Sequence, residues 1–487
     1  MTQESKQMRG KVAIVTGAGK GEDDKVVVQL PNIAELALVY FALSKLGAIV
    51  SPVPVQYGSH ELQKIAKVLD SKFLISIDHF KDLKLAETAK AALPDLTVIS
   101  LNQDIKLDAK TPAEQDTQWP ADDANRTITI CWTSGTTGTP KGVPRSHNMW
   151  LATGRKSLAA GSYTKDEVLL NPFPLVNMAA LGGFMFPTVI LGCSLVLHHP
   201  INVPVFLDQL QKEKITYTLA PPALLNQLAK SEEMWNQYDF SALRAVGSGS
   251  APLAPWMIDK FDNEYGKPVT NYYGSNEGIA LYATPQSAPT PEMRASVFGL
   301  PQAGDSIFTK VINTETGEDI IGAGERGELL IAGATVFDGY LDHDNEGVFN
   351  KDGYFHTGDL VEITDSDGRN CKIVGRCKDI INRGGMKISP AELDVAIEQH
   401  ASLEEAAVCS YPDERLGEKI CACIVMKAGQ EPLTLELVNA FLLEQGFAKF
   451  KLPERLEILD SLPRNALAKV QRFTLEDIVK EKIKQEG

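Results

Sequence analysis

Short buried strands alternate with helices near the start of the chain, and this alternation most constrains the fold. The run VVVQL at 26–30 is typical of a buried strand, and Ala34–Leu46 is typical of an apolar helix ending at Gly47. A second strand, AIVSPVPV at 48–55, precedes a second helix at His60–Leu69. Strands that alternate with helices in this way form parallel sheets. The sequence therefore predicts an α/β protein.

Length and charge limit the functions open to the chain. At 487 residues it exceeds the size that one hydrophobic core usually serves, which predicts at least two domains. The formal charge of −15 argues against non-specific binding to nucleic acid or to an anionic membrane surface. A small nucleotide remains a possible ligand, because it needs only a local group of hydrogen-bond donors.

Cysteine usage and one uncharged segment bear on compartment and membrane association. The seven cysteines are scattered without the His/Cys spacing of a zinc site, and Cys421 and Cys423 alternate as on one strand face. This pattern favours free thiols in a reducing compartment and predicts a cytoplasmic protein.

No Lys, Arg, Asp or Glu lies between Glu167 and Asp208, but five prolines interrupt that segment. We therefore predict buried helices and strands there and no membrane span.

A small C-terminal domain is predicted from capping and strand signals. Ser389-Pro390-Ala391-Glu392 forms a capping box with proline at the first helical position, so a helix should run from there to about His400. Two strands and another helix are predicted at 406–411, 420–426 and 434–445. The predicted organisation is an atypical leader at 1–24, a large domain of layered β-sheets with helices at 25–377, and a small α+β domain at 378–487.

The loop TSGTTGTPKG at 133–142 carries the clearest chemical signal. It follows a strand-like run, Thr127–Trp132, and combines glycines, hydroxyls and Lys141. Glycines let backbone N–H groups approach a polyphosphate, hydroxyls add donors, and the lysine adds positive charge. The loop is not a Walker motif, because Gly142 stands where that motif has Ser or Thr after the lysine. Taken alone, the segment could also be a flexible turn.

Six further motifs accompany this loop, and together they resemble the adenylate-forming superfamily of acyl-CoA synthetases, aryl-acid–AMP ligases, adenylation domains and luciferases. They follow the loop in the order that the family shows and extend the resemblance over nearly the whole chain after residue 25. The motifs are GSGSAPL (247–253), NYYGSNEG (271–278), GELLIAG (327–333), GYFHTGDL (353–360), VGRCKDIINRGGMKISP (374–390) and LPRNALAKVQRF (462–473). The resemblance implies an acid–thiol ligase that uses ATP and Mg²⁺, makes acyl-AMP, and passes the acyl group to a thiol.

The resemblance also implies the nucleotide-binding residues. Glu277 would be a catalytic residue that helps to bind Mg²⁺, and Asp359 would accept hydrogen bonds from the ribose hydroxyls. Arg376 would contact the ribose or a phosphate. The phosphates would lie against Lys141 and a loop made of Thr133, Ser134, Gly135, Thr136, Thr137 and Gly138. The adenine would lie between Gly249, Ser250 and Ala251 on one face and Tyr273 on the other, and Gly274 and Ser275 would also bind the nucleotide.

Lys469 corresponds to the lysine that the family places against the carboxylate and the α-phosphate, so it is the predicted catalytic lysine. The family usually has glycine before this lysine, whereas this chain has Ala468. By resemblance, the small C-terminal domain is mobile and rotates about a hinge at Lys378. That rotation would present the segment Gly384–Gly385 to the channel of the thiol.

The acid-binding pocket is predicted around Asn177, Gly182 and Gly278. Asn177 stands where siderophore-pathway aryl-acid ligases have an asparagine facing the ring hydroxyl, although a capping asparagine is an alternative interpretation. Gly182 replaces the small hydroxyl residue of that group, so aromatic, alicyclic and medium-chain acids all remain open. The acceptor would be CoA or, alternatively, the phosphopantetheine of an acyl or aryl carrier protein.

The leader suggests two more distant alternatives. The string TGAGKG at 16–21 resembles the cofactor loop of short-chain dehydrogenases, so an oxidoreductase that binds NAD(P) at Gly17–Gly21 is one alternative. The adenylate-forming family usually has several dozen more residues before the strand at 26–30. The altered start, together with Ala468, makes a non-catalytic relative the other alternative.

Overall fold

The computed structural model describes residues 24–101, 103–104, 123–133, 140–301, 304–384, 386–464 and 469–486, in two compact units. The first unit contains the described residues through Ser248 together with Phe261–Ala280 and Gly333–Glu346. The second contains Gly249–Lys260, Leu281–Ala332 and the chain from Gly347 onward. The division at 377/378 proposed from sequence stays a prediction. The leader, apart from Asp24, lies outside the described residues.

The first sheet lies in the first unit and has the order β4-β3-β1-β2-β5-β6. Its strands are β1 (Lys25–Val28), β2 (Ile49–Pro52), β3 (Phe73–Ile77), β4 (Thr97–Leu101), β5 (Thr127–Thr133) and β6 (Lys141–Ser146). The helices that follow them are α1 (Ala34–Lys45), α2 (Ser59–Leu69), α3 (Leu85–Ala92) and α4 (His147–Gly161). Pairing is parallel except between β5 and β6.

Strand β1 is apolar from Val26 to Val28, because both faces of this sheet are covered. Val26 and Val28 belong to the core cluster that includes α1, whereas Val27 belongs to the cluster that includes α2. A continuous apolar run is what a parallel sheet with helices on both faces requires. The α/β fold class inferred from sequence is therefore confirmed.

The second sheet has the order β12-β11-β10-β9-β7-β8. Its strands are β7 (Val168–Asn171), β8 (Ser194–Leu197), β9 (Tyr217–Leu219), β10 (Ala245–Gly249), β11 (Val269–Gly274) and β12 (Ala280–Ala283). The helices between them are α5 (Met178–Ala180), α6 (Phe186–Leu191), α7 (Val203–Lys212), α8 (Pro222–Lys230), α9 (Glu232–Trp235) and α10 (Pro255–Asp259), with π-helical turns at Leu181–Met185 and Lys260–Glu264. The uncharged segment forms helices and strands that are largely buried up to Pro187 and more exposed beyond it, where Val189 is 54% exposed. None of the described helices is both long and apolar enough to cross a bilayer.

The second unit holds two further sheets. One has the order β13-β17-β16-β15-β14 and comprises β13 (Val297–Gly299), β14 (Ile307–Ile312), β15 (Arg326–Gly333), β16 (Phe355–Ile363) and β17 (Asn370–Arg376), preceded by α11 (Pro291–Ser296). The other has the order β19-β18-β21-β20, with β22 beside β21. It comprises β18 (Ile381–Arg383), β19 (Met386–Ile388), β20 (Leu403–Asp413), β21 (Gly417–Met426) and β22 (Arg455–Ile458), with α12 (Pro390–Ile397), α13 (Leu435–Glu444), a 3₁₀ turn at Lys449–Lys451 and α14 (Arg472–Glu486).

Of the two hydrogen bonds of the capping box predicted at the start of α12, the structure shows the one accepted by the side chain of the N-cap residue, Ser389. The Ser389 hydroxyl accepts a hydrogen bond from the Glu392 N–H at 3.4 Å and donates one to the Val374 carbonyl of β17. Pro390 is the first helical residue, as the sequence predicts. The same hydroxyl therefore starts the helix and joins it to the neighbouring sheet.

Replacing Ser389 with alanine should lower the free energy of unfolding by about 1–2 kcal/mol, because the N-cap and a buried hydrogen bond are lost together. Urea-induced unfolding followed by circular dichroism measures this change. Ser402→Ala is the matched control, since the hydroxyl of Ser402 bonds only an exposed side chain among the described contacts, and its effect should stay within about 0.5 kcal/mol. Equal stability of the two variants would contradict this role of Ser389.

Candidate active site

Lys141 and Glu277, which the sequence predicts as functional residues, both contact Tyr340 within the first unit. The ammonium nitrogen of Lys141 lies 4.7 Å from the centroid of the Tyr340 ring. The Tyr340 hydroxyl donates a hydrogen bond of 2.9 Å to Oε1 of Glu277. The Leu341 N–H donates to the Gly142 carbonyl at 2.9 Å, which holds this segment against the start of β6. One tyrosine thus links the predicted phosphate-binding cation to the predicted metal-binding carboxylate.

The turn that carries Glu277 is held closely against residues 335–337. The Phe337 N–H donates to the Glu277 carbonyl at 2.9 Å, and the Thr335 hydroxyl donates to the Gly278 carbonyl at 2.7 Å. Gly278 has φ +116°, and a Cβ there would lie 2.1 Å from the Thr335 carbonyl oxygen. Because no side chain fits at this position, Gly278 has a structural role in placing Glu277.

Asn276 connects three segments through its side-chain amide. Its Oδ1 accepts a hydrogen bond of 2.8 Å from the Met178 N–H at the start of α5. Its Nδ2 donates a hydrogen bond of 3.1 Å to the Trp132 carbonyl near the end of β5. The amide therefore fixes the predicted acid-binding helix and the strand before the glycine-rich loop to the turn of Glu277.

Arg145 lies beneath this arrangement and is fully buried. Its guanidinium donates to the Asn276 carbonyl at 3.0 Å and to the Thr153 hydroxyl at 2.9 Å, and it lies 4.6 Å from the Trp150 ring centroid. Burial lowers the pKa of Arg145 to about 10, although the Cys131 thiol and the Glu277 carboxylate act in the opposite direction. The side chain is still protonated at neutral pH, so a buried cation supports the turn that carries Glu277.

The predicted acid pocket lies at α5 and the π-helical turn. Asn177 is the N-cap of α5, and its Oδ1 accepts a hydrogen bond of 3.2 Å from the Ala180 N–H, so the capping interpretation is confirmed. Gly182 is buried in the π-helical turn, and a Cβ there would lie 2.5 Å from Cγ2 of Thr153 on α4. π-helical turns are frequent at functional sites, and this one brings small residues close to a neighbouring helix.

In the second unit, Asp359 on β16 and Arg376 on β17 lie directly opposite each other. The Arg376 Nε donates to Oδ1 of Asp359 at 2.6 Å, and the Asp359 N–H donates to the Thr357 hydroxyl at 3.0 Å. The Asp359 side chain is 9% exposed and that of Arg376 is 44% exposed. The carboxylate is therefore oriented by the guanidinium, which is the arrangement expected of a rigid acceptor for hydroxyl groups.

The residues predicted around the adenine fall in both units. In the second unit, Gly249 is buried at the end of β10, and the exposed Ser250 that follows it has φ +69°, a strained conformation for a side chain. In the first unit, Tyr273 and Gly274 end β11, and the Ser275 Oγ is buried without a hydrogen-bond partner among the described residues. A strained turn and an unsatisfied hydroxyl are both compatible with a polar ligand. Ala251 is exposed after Ser250.

The remaining predicted residues lie at exposed turns or outside the described residues. Lys378 and Lys469 are exposed. Gly384 has φ +56° and donates its N–H to the Leu416 carbonyl at 2.7 Å. Thr133 is the last residue of β5 and pairs with Lys141. The predicted residues that lie outside the described part are Ser134, Gly135, Thr136, Thr137, Gly138, Gly385 and Ala468.

Three residues of the site, Tyr340, Asn276 and Arg145, were not predicted. Asn276 lies inside NYYGSNEG, Arg145 lies inside PRSHN, and Tyr340 follows GELLIAG in the chain. Arg145 carried no usable local signal, because its strand KGVPRS also contains a lysine, a proline and a serine. No local pattern indicates that Tyr340 lies under Lys141.

Asn276→Ala should lower the free energy of unfolding by about 2 kcal/mol or more, because the Met178 N–H loses its buried acceptor. It should also speed hydrogen exchange of amides in α5 and the π-helical turn, which mass spectrometry of peptides can follow. Asn236→Ala is the control, since Asn236 is an exposed residue of the same unit. If exchange in that helix were unchanged, Asn276 would not be the connection that holds it.

Two family models match the chain. The model described as AMP-binding enzyme covers residues 13–341 and so begins inside the predicted leader, and the model described as AMP-binding enzyme C-terminal domain covers residues 392–469. These matches extend over most of the chain and decide against the oxidoreductase alternative.

Individual proteins and structures agree with these models. Enterobactin synthase component E of Escherichia coli is 31% identical over 466 residues, covering 93% of this chain and 84% of that protein. Indoleacetate–CoA ligase of Aromatoleum aromaticum is 29% identical over 469 residues, covering 93% and 87%. The crystal structure of ATP-bound MatB from Rhodopseudomonas palustris has a TM-score of 0.82 at 26% identity, covering 95% of this chain and 90% of that one. The chain therefore belongs to the AMP-binding enzyme family within the adenylate-forming superfamily, and it is an AMP-forming acid–thiol ligase.

Proposed function

We propose that this enzyme activates an apolar carboxylic acid with ATP and transfers the acyl group to CoA. The observation that carries this proposal is the contact of Tyr340 with both Lys141 and Glu277 in a chain of this family. It brings a mobile cation and a carboxylate to the start of the strand that follows the glycine-rich loop. A polyphosphate and its metal ion need these two groups side by side.

In the first half-reaction, an oxygen of the substrate carboxylate attacks the α-phosphorus of ATP. A bond from oxygen to phosphorus forms, and the bond to the β-phosphate oxygen breaks, so acyl-AMP and pyrophosphate result. Lys141 would leave the Tyr340 ring to bind the β- and γ-phosphates, because a cation–π contact near a surface contributes only about 0.5–1 kcal/mol. That exchange costs little and provides positive charge where negative charge accumulates.

Glu277 has the donor chemistry that Mg²⁺ requires. Mg²⁺ takes oxygen ligands and is usually held by one or two carboxylates together with substrate phosphates. The Tyr340 hydroxyl bonds Oε1 of Glu277, which fixes the orientation of the carboxylate. When bound, the ion would neutralise charge on the phosphates, while Glu277 and Tyr340 determine where it is held.

Asp359, Arg376 and Lys469 keep their predicted roles in this proposal. Asp359 would accept hydrogen bonds from the ribose hydroxyls, with Arg376 keeping its carboxylate in one orientation. Lys469 would neutralise the carboxylate and the α-phosphate in the transition state. The hinge at Lys378 and the thiol-channel role of Gly384–Gly385 belong to the same proposal. They would allow the thiol to attack acyl-AMP, form the thioester and release AMP.

The acid is proposed to be apolar and most simply aromatic. The π-helical turn beside α5 is buried and apolar, and the similar indoleacetate–CoA ligase has an aromatic acid in its name. The Oδ1 of Asn177 accepts a hydrogen bond from the Ala180 N–H, and its Nδ2 would be the donor to an oxygen of the acid. A hydroxyl side chain at Gly182 would have to displace Thr153, which distinguishes this pocket from that expected of a dihydroxybenzoate ligase.

A second candidate is an aryl-acid–AMP ligase that loads a phosphopantetheine carrier protein. The strings PRSHN (144–148) and EQGFAKFKLPER (444–455) resemble that group. Pyrophosphate exchange across a panel of aryl and alkyl acids, followed by transfer to CoA or to a carrier domain, tests both candidates. Saturation by free CoA supports the first, and turnover only with a carrier domain supports the second. Exchange with none of the acids would contradict both.

Lys469→Ala should lower acid-dependent ATP–pyrophosphate exchange by about 100-fold or more, because charge stabilisation in the transition state is removed. Thioester formation from supplied acyl-AMP should change little, since the lysine is not needed there. Lys480→Ala, a substitution in α14, is the control. Equal loss of both half-reactions in the Lys469 variant would rule out the assigned role.

Tyr340→Phe should raise the Mg²⁺ concentration for half-maximal exchange by about 3–10-fold, as expected for loss of one hydrogen bond to a charged group. Tyr340→Leu should in addition lower the KM for ATP slightly, because Lys141 no longer has a ring contact to give up when it binds the phosphates. The matched control is Tyr354→Leu, since Lys310 lies 5.1 Å from the Tyr354 ring in the other unit. If the two Tyr340 variants lost stability but kept the wild-type Mg²⁺ and ATP dependence, Tyr340 would have a packing role only.

A further inference from the structure

Three cysteines converge in the core of the C-terminal part of the second unit. Cys409 on β20 lies directly opposite Cys421 on β21, and Cys423 lies two residues farther along the same strand and on the same face. Their sulfur atoms all lie within 4.8 Å of one another, and each residue is at most 1% exposed. We call Cys409, Cys421 and Cys423 the thiol cluster. It plays no part in the proposed function.

The groups that line the thiol cluster are apolar. Packed against it are Ala407, Val425 and Leu462 together with Leu475 and Val479 of α14. Within the described residues, no other Cys, His, Asp or Glu places a ligand atom in this group. The cluster therefore offers three sulfur ligands and no fourth donor. An all-sulfur set of three selects a soft, three-coordinate ion, whereas Zn²⁺ at structural sites takes four ligands.

The charges beside the cluster cancel. Arg455 and Glu457 of β22 pair with Cys421 and Cys423 in the sheet register. Arg455 is paired with both Glu457 and Glu486, and Lys482 is paired with Glu457. Arg472, which also acts electrostatically on Cys409, is paired with Asp394. Among the described residues, each of these three cations is thus matched by a carboxylate, which leaves little positive charge to balance a negative complex. A buried net charge without a counter-charge is costly, which favours an ion whose complex with three thiolates is neutral.

Trivalent arsenic meets this requirement, because three thiolates balance its charge. We propose that Cys409, Cys421 and Cys423 form a binding site for arsenic(III), taken up from neutral arsenous acid. Three arsenic–oxygen bonds break and three arsenic–sulfur bonds form, and each thiol proton leaves with a hydroxyl group as water. No oxidant or reductant takes part. A monovalent copper complex with three thiolates would carry two negative charges, which the described surroundings do not balance.

Binding at this site would act on α14, which follows the predicted catalytic lysine closely in sequence. Leu475 and Val479 cover the sulfur atoms, so α14 must open for an ion to enter. A small neutral molecule such as arsenous acid can pass this apolar layer without the desolvation cost that an ion would incur. Once bound, the ion would hold β20 and β21 together beneath α14.

The test uses the full-length wild-type protein and two single variants, with arsenite as the probe. Native mass spectrometry should show the gain of one arsenic atom and the loss of three hydrogens per chain. Cys423→Ala should weaken arsenite binding by about 100-fold or more. Mutating a residue that only hydrogen-bonds to a metal ligand already lowers metal affinity by about 10–100-fold, and here a ligand itself is removed. Cys371→Ala, which removes a buried thiol of β17, should bind as the wild type does.

Three results would overturn the proposal. The first is an adduct of the wild-type chain in which fewer than three hydrogens are lost, and this readout does not depend on whether a variant folds. The second is wild-type affinity in Cys423→Ala, after circular dichroism has shown that this variant is folded. The third is a loss of arsenite binding in folded Cys371→Ala, because that would place the arsenic at a thiol outside the thiol cluster.

Discussion

The side-chain amide of Asn276 is the connection on which the first half of the site depends. The amide bonds the start of α5 and the Trp132 carbonyl near the end of β5. The backbone carbonyl of Asn276 accepts a hydrogen bond from the buried guanidinium of Arg145. Each partner lies in the interior. There, leaving a polar group without a hydrogen bond lowers the stability by more than a formed hydrogen bond adds to it. The turn that carries Glu277 therefore has one stable position relative to the strand before the glycine-rich loop.

Burying the charged guanidinium of Arg145 removes it from water, and the neighbouring groups offset this desolvation cost. Burial alone would favour the neutral form, which is why its pKa falls to about 10. Hydrogen bonds to Asn276 and Thr153 and the face of Trp150 compensate for the lost water. A cation held in this way cannot move to a substrate. Lys141 differs, because its ammonium rests on an aromatic ring that it can leave.

The sheets of the second unit show how strand alternation places different chemistry on two faces. On β20 and β21, Val408 and Ala422 face one core cluster, whereas Cys409 and Cys421 face the other. The sequence indicated that Cys421 and Cys423 share a face, and the structure agrees. It could not indicate that Cys409 joins them, because cross-strand register depends on pairing over the whole sheet.

Local sequence patterns were enough to identify the alternation of strands and helices, the helix start at Ser389 and the order of the family motifs. Periodicity, caps and turn residues act over a few neighbouring positions, so they can be read without a fold. Tertiary structure decided which motif residues meet. Tyr340 and Glu277 are 63 residues apart, and Asn276 and Trp132 are 144 apart, yet each pair is hydrogen-bonded. Such contacts depend on how whole sheets and loops pack, and no local pattern encodes that packing.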